Sequence, residues 1–223
     1  MSASMVAAQS QGTSAPHIVA WAAGAIRAAA GARGTIVDVG CGQGDLLALL
    51  REDFKRCIGL DLVAYGKMRE RGWIEFLPSD LNAPRLNLES GCGDVVAAVE
   101  TIEHLENPRA FVRELARVAR PGGLVLVTTP NQLSWLSKAA LVVKNEFSAF
   151  QERPGLYPTH ITALVEADLR HIGSECGLAE IAIEYSGRGR RPGSSRSYPS
   201  WISRRWRRGA SDNIMMLGRK RGA

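Results

Sequence analysis

The sequence predicts an α/β fold built on a mostly parallel sheet with helices on both faces, and three observations carry that prediction. Short apolar runs alternate with helical patterns through the first 130 residues. The first of these runs breaks into alternate glycines, as a strand does where it turns into a helix beneath a ligand. Two more strand-like runs close the chain after the alternation has stopped.

Taken in order, residues 17–32 form an alanine-rich helical lead-in bounded by Gly31 and Gly34. Strands are expected at 35–40 (TIVDVG), 57–62 (CIGLDL), 74–80 (IEFLPSD), 94–100 (DVVAAVE) and 124–130 (LVLVTTP). Helices fall between them at 44–52, 63–71 and 107–120; in the last, Phe111, Leu115 and Val118 share one face and Pro121-Gly122-Gly123 is the stop. Strands this apolar belong in a parallel sheet covered on both sides, and such a sheet binds ligands beyond its carboxyl ends. After residue 131 the rhythm changes. A long excursion to 159 precedes a helix at 161–176, then strands at 178–185 and 212–220 flank an insert rich in Gly, Pro, Ser, Arg and Trp. No internal repeat is visible, and 223 residues suit one domain: a lead-in at 1–33, a cap insertion at 131–160 and a basic aromatic insertion at 186–211.

Composition narrows the function. No apolar run approaches the roughly 20 residues that cross a bilayer. The first fifteen residues carry no basic residue ahead of the apolar stretch, the wrong order for a secretory signal, so the expected location is the cytoplasm. The four cysteines, Cys41, Cys57, Cys92 and Cys176, form no Cys-x-x-Cys pair and read as small buried hydrophobes. The net charge of +6 is uneven: residues 186–223 hold eleven Arg or Lys against one acid, Asp212, while the rest of the chain has 17 basic and 21 acidic residues.

The stretch VDVGCGQGD, from Val37 to Asp45, sets the chemistry with Gly40, Gly42 and Gly44. A dinucleotide fingerprint would place its third glycine at 45, where Asp45 would repel a pyrophosphate, and a P-loop needs a Lys-Ser/Thr that is absent. Asp45 itself reads as a first-turn acid that stabilises a helix N-terminus. About twenty residues on, Asp61 ends the next strand, where a carboxylate accepts both ribose hydroxyls. Asp80 closes the third strand in PSDLN, where an acid can accept from an adenine amino group. The set implies a nucleoside without phosphate.

VDVGCGQGD, GLDL, SDLN, ETIEHLENP and RPGGLVLVTTPN, in this order over roughly residues 35–131, resemble the successive motifs of class I S-adenosylmethionine-dependent methyltransferases, and within them the ubiquinone-biosynthesis O-methyltransferases. The resemblance implies a Rossmann-like sheet of order 3-2-1-4-5-7-6 with strand 7 antiparallel, and S-adenosyl-L-methionine as cofactor. It assigns Asp38 and Gly40 to the methionine end, with Gly42 and Gly44 completing the glycine turn. Asp61 and Leu62 fall to the ribose, Asp80 and Leu81 to the adenine, and Val99 to the neighbourhood of the sulfonium.

ETIEHL puts Glu100, Glu103 and His104 at the rim, on one face if the segment is helical. Carboxylates with imidazole can bind Mg2+ or another divalent cation, and by resemblance His160, in YPTHIT, is the fourth ligand. The alternative is a metal-free site in which His104 acts as general base beside Glu100. Transfer from a sulfonium needs no acid–base group, because placing the nucleophile in line supplies most of the acceleration. His17 and His171 sit in plain helical contexts and read as solvent-facing.

Both insertions follow parallel strands and should rise over the acceptor. The first carries Leu133, Trp135, Leu136, Leu141, Val142 and Val143, an amphipathic cap able to pack on the domain or to make peripheral membrane contact. The second interleaves arginines with Tyr198, Trp201 and Trp206, a mixture that suits an anionic acceptor: an acidic or phosphorylated sugar, a lipid head group, or RNA. The expected function is a methyltransferase acting on oxygen of a small-molecule, sugar or lipid-linked acceptor. An RNA methyltransferase and a catalytically inactive methyltransferase-fold scaffold are the alternatives; the intact glycine, Asp61 and Asp80 set argues against the scaffold.

Overall fold

The computed structural model describes residues 12–151 and 160–222. Residues 1–11 and 152–159, the latter including the first three positions of YPTHIT, lie outside the described residues.

Among the described residues the strands are β1 (Thr35–Val39), β2 (Arg56–Asp61), β3 (Glu75–Pro78), β4 (Gly93–Val99), β5 (Ala119–Pro130), β6 (Leu178–Tyr185) and β7 (Asn213–Lys220). They form one sheet in the order β3-β2-β1-β4-β5-β7-β6. β1 to β5 run parallel, and β7 is antiparallel to both of its neighbours. This is the order the motif resemblance implied.

The sheet is covered on both faces because its strands are apolar on both. Ile36 and Val37, adjacent in β1, are each fully buried and join different core clusters. One cluster takes in α1 (Pro16–Ala29), whose Ile18, Val19, Ala22, Ala23 and Ile26 form a single stripe, and α2 (Asp45–Leu50) through Leu46, Leu47 and Leu50. The other takes in α4 (Pro108–Val118) through Phe111, Val112, Leu115 and Val118, and α6 (Glu166–Glu175) through Leu169 and Ile172. The segment expected to be helical at 63–71 shrinks to α3 (Gly66–Glu70).

Two boundaries differ from the sequence reading for identifiable reasons. α4 ends at Val118, and the Pro-Gly-Gly stop is absorbed into β5, which begins at Ala119. Arg120 is fixed there by Asp94 at 2.5 Å, and a side chain on Gly123 would meet the Arg120 carbonyl at 2.8 Å. α6 starts at Glu166 instead of 161 because the amides of Ile161 and Thr162 donate to the Glu103 carbonyl at 2.8 and 3.0 Å. That stretch is thereby tied, as extended chain, to the loop after β4.

Cys41 and Cys57 are buried, Cys92 and Cys176 half-buried, and none of them forms a disulfide. No described helix is long and apolar enough to cross a membrane. The cap insertion contributes α5 (Trp135–Lys144), which buries only Ser137 and leaves Val142 85% and Val143 81% exposed. The second insertion forms α7 (Ser200–Arg205).

Leu126, fully buried at the centre of β5, sits where the sheet core cannot easily collapse. Leu126→Ala is expected to lower stability by about 2–5 kcal/mol, read as a fall in the urea midpoint at unchanged slope.

Candidate active site

The carboxyl ends of β1, β2, β3 and β4 meet at a cavity of about 360 Å³. Asp38, Gly40, Gly42, Asp61, Leu62, Asp80, Leu81, Val99, Glu100, His104 and His160 all line it, so most of the residues singled out in the sequence converge on one place.

The glycine turn is built by close approach. Gly40 adopts φ +82° and lies so near Thr101 that any side chain there would strike the threonine hydroxyl. That hydroxyl in turn donates to the Val99 carbonyl at 3.2 Å. Gly42, at φ +49°, lies against the carbonyl of Gly12, which accepts the amide of Gln43 at 2.9 Å. Gly44 does not line the cavity: it is the N-cap of α2, packed beside Met68. Asp45 opens that helix and pairs with Arg71 at 2.9 Å, as expected of a first-turn acid.

The three aspartates are held in different states. Asp61 accepts the amides of Gly42 and Leu62 at 2.8 and 2.7 Å, clamping the end of β2 to the glycine turn. Burial still raises its pKa despite those bonds. The Val63 amide bonds it as well, and a carboxylate's four lone-pair sites leave room for a ligand hydroxyl. Asp80 lies past the end of β3 and accepts the Asn82 amide at 2.9 Å. Asp38 is 2% exposed, and its Oδ1 has no hydrogen-bond partner among the described residues. Burial, with Asp61 as a lesser cause, pushes it up to about 8. A buried carboxyl oxygen without a partner is costly, and a cationic ligand is the kind of group that would satisfy it.

At the rim the segment after β4 is not the single helical face the spacing suggested. Glu100 takes φ +52°, in the left-handed region, and only Ile102–His104 turn, as one 3-10 loop. Glu100 is therefore held by β5 and β7 instead of joining Glu103 and His104. Its carboxylate accepts from the Thr128 hydroxyl at 2.9 Å and the Asn213 amide at 2.8 Å, and burial raises its pKa. Glu103 is fully buried, neither of its carboxylate oxygens has a partner of ordinary geometry among the described residues, and burial followed by the Glu100 charge raises its pKa.

His160 is brought to the same point from the far side of the excursion. Its ring meets that of His104 edge-on at 4.7 Å, its Nδ1 makes no hydrogen bond among the described residues, and burial lowers its pKa. One ligand atom from each of Glu103, His104 and His160 lies within 4.8 Å of the others. Glu100 stands outside that group, so three of the four metal candidates come together.

A second cavity, of about 540 Å³, adjoins the first and shares Glu100 and His160 with it. Arg188, Arg190, Asp212, Asn213 and Ser197 contribute to its walls, as does His17, which the sequence reading had left facing solvent; His171 is exposed as expected. Sequence reasoning also missed Thr13 and Ser14, which line the first cavity ahead of α1, and Asn213, which holds Glu100 from β7. No local pattern marks any of them; the nearest signal was the polar end that opens the otherwise apolar β7.

Known proteins agree with this architecture. A family model described as a methyltransferase domain matches residues 17–182. A "Probable S-adenosylmethionine-dependent methyltransferase" of Mycolicibacterium smegmatis is 32% identical over 62% of this chain and 60% of its own length. A ubiquinone biosynthesis O-methyltransferase of Methylobacterium sp. is 28% identical over 71% of this chain and 73% of its own. The chain spans about half to three-fifths of the length of the first curated relatives it matches. The solved structure of a SAM-dependent methyltransferase from Archaeoglobus fulgidus superposes with a TM-score of 0.63 at 18% identity, over 91% of this chain and 94% of that one, a likeness of fold. The chain belongs to the methyltransferase domain family.

Proposed function

We propose that the protein transfers a methyl group from S-adenosylmethionine to an oxygen of a small-molecule, sugar or lipid-linked acceptor. The observation that carries this reading is the convergence of Asp38, Asp61 and Asp80 with the glycine turn on one cavity, the Asp38 carboxyl being buried there without a full set of partners. Those residues fit the donor's chemistry. Asp61 can accept both ribose hydroxyls, Asp80 the adenine amine, and Asp38 can face the positively charged methionine end; Gly40 and Gly42 leave the main chain bare for close approach.

Bound there, S-adenosylmethionine supplies an electrophilic methyl group. The chain's own work is to hold an acceptor hydroxyl in line, exclude water and take up the proton released as the new C–O bond forms. Glu100, which opens both cavities and has a raised pKa, and His104 at the cavity rim are the groups placed to receive that proton.

Glu103, His104 and His160 form a donor set suited to a divalent cation, and the orphaned Glu103 oxygens support it. Two imidazoles favour a transition ion such as Mn2+ or Zn2+ over Mg2+. Such an ion would lower the pKa of an acceptor hydroxyl.

Three outcomes test this account. Asp61→Ala should weaken S-adenosylmethionine binding, measured by calorimetry, by about 10–100-fold, the worth of a charged hydrogen-bonding group; unchanged affinity would refute the donor site. Asp38→Asn should raise the melting temperature near pH 8. In the folded protein Asp38 stays protonated up to about 8, whereas it ionises near 4 when unfolded, so the carboxyl costs stability progressively as pH rises through that window and Asn does not. A melting curve that falls or stays level at pH 8 contradicts the assignment. Added Mn2+ or Zn2+ should raise the melting temperature of the wild type but not of His160→Ala, and no shift with any divalent ion removes the metal.

A further inference from the structure

Of the eleven basic residues in 186–223, several are committed elsewhere. Arg208 binds Glu166 and the Tyr185 hydroxyl, Arg219 pairs with Glu180, and Arg205 lies over the Trp206 ring. Arg196, Arg204 and Arg207 line neither cavity. The basic run is therefore not one continuous stripe. Arg188 and Arg190 line the open 540 Å³ cavity that meets the first at Glu100 and His160.

The charges in that chamber do not balance. Arg190 is neutralised by Asp212, through a 2.7 Å ion pair and a further bond from its own amide to the same carboxylate. Arg188 has no ion pair and no guanidinium hydrogen bond among the described residues, and Asp212 already serves Arg190. The remaining acid, Glu100, is occupied by Thr128 and Asn213.

Arg188 is nonetheless held in place through its main chain. Its carbonyl accepts the Asp212 amide at 2.9 Å, and next to it Gly189 is packed so tightly that a side chain would meet the Ala210 carbonyl at 2.6 Å. Arg188 is exposed, and an exposed guanidinium without an ion pair on a fixed backbone, with Ser195 and Ser197 on the same wall, can bind an oxyanion. The volume lies in the range of ordinary ligand pockets, roughly 300–1,000 Å³.

We infer that this second chamber receives the acceptor and that Arg188 binds its carboxylate or phosphate group while the oxygen to be methylated lies at the Glu100–His160 junction. The inference rests on the methyl-transfer reading above and adds to it a place, a charge and a selecting residue. RNA is disfavoured, because Arg190, Arg205, Arg208 and Arg219 are each turned to partners within the chain instead of along a groove that tracks a strand.

The test titrates benzoate, phenyl phosphate and, as the neutral control, phenol into the full chain by calorimetry, with S-adenosylhomocysteine present. At least one anion should bind tenfold or more tightly than phenol; benzoate leading points to a carboxylate, phenyl phosphate to a phosphate. Arg188→Gln should abolish that preference, Arg188→Lys should restore part of it, and Arg204→Gln should leave it untouched, each variant keeping its melting temperature. Equal affinity for phenol and both anions in the wild type, or a preference that survives Arg188→Gln, overturns the proposal. Binding of S-adenosylhomocysteine alone is measured first: its absence defeats the methyl-transfer reading, whereas intact binding without anion preference defeats only this one.

Discussion

The site depends on one contact, the Asp61 carboxylate accepting the amides of Gly42 and Leu62. It ties the end of β2 to the turn after β1, and that turn is already forced against Thr101 on one side and Gly12 on the other. With those positions fixed, the open main chain of Gly40 and Gly42 faces a cavity floored by Asp38 and walled by Asp61 and Asp80. Removing the clamp would release the turn and the carboxylate together. Ligand recognition and loop geometry are in this sense the same interaction.

The arrangement is costly to the free protein. Asp38 and Glu103 are buried carboxyls with unpartnered oxygens, and these two and the half-buried Glu100 all have raised pKa values within the carboxyl end of a single sheet. Apolar replacements would pack at least as well there. Their presence makes sense if cations complete the site when it is working: a charged donor at Asp38 and, on the proposed reading, a metal ion at Glu103. The surrounding core, with fully buried Val37, Ile58, Leu60, Val96 and Val127 anchoring the strands beneath, is what tolerates the strain.

Both covered faces and the meeting of the glycine turn with Asp61 and Asp80 were legible in the sequence, because each depends on a local feature: an apolar run, a glycine turn, an acid at a strand end; the strand order and the place of Asp38 came with the motif resemblance. What escaped was set by contacts between distant segments. The left-handed turn at Glu100 is enforced by Thr128 and by Asn213, which is 113 residues away. The late start of α6 reflects amides captured by the Glu103 carbonyl, and nothing in residues 161–165 announces it. His17 looked idle because its significance comes from Arg188 and Asp212, which fold back across the sheet to share a wall with it. The basic insert was visible as a composition, but which of its arginines form ion pairs is decided by where Asp212, Glu166 and Glu180 fall.

The position of a bound donor tests this site most directly. A crystal structure of the protein grown with S-adenosylmethionine should show the ribose hydroxyls on Asp61, which keeps its bonds to Gly42 and Leu62, the ammonium near Asp38, and the methyl group turned toward the junction of the two cavities at Glu100. Density for the donor elsewhere, or a crevice filled by the chain's own side chains at saturating donor, would contradict it.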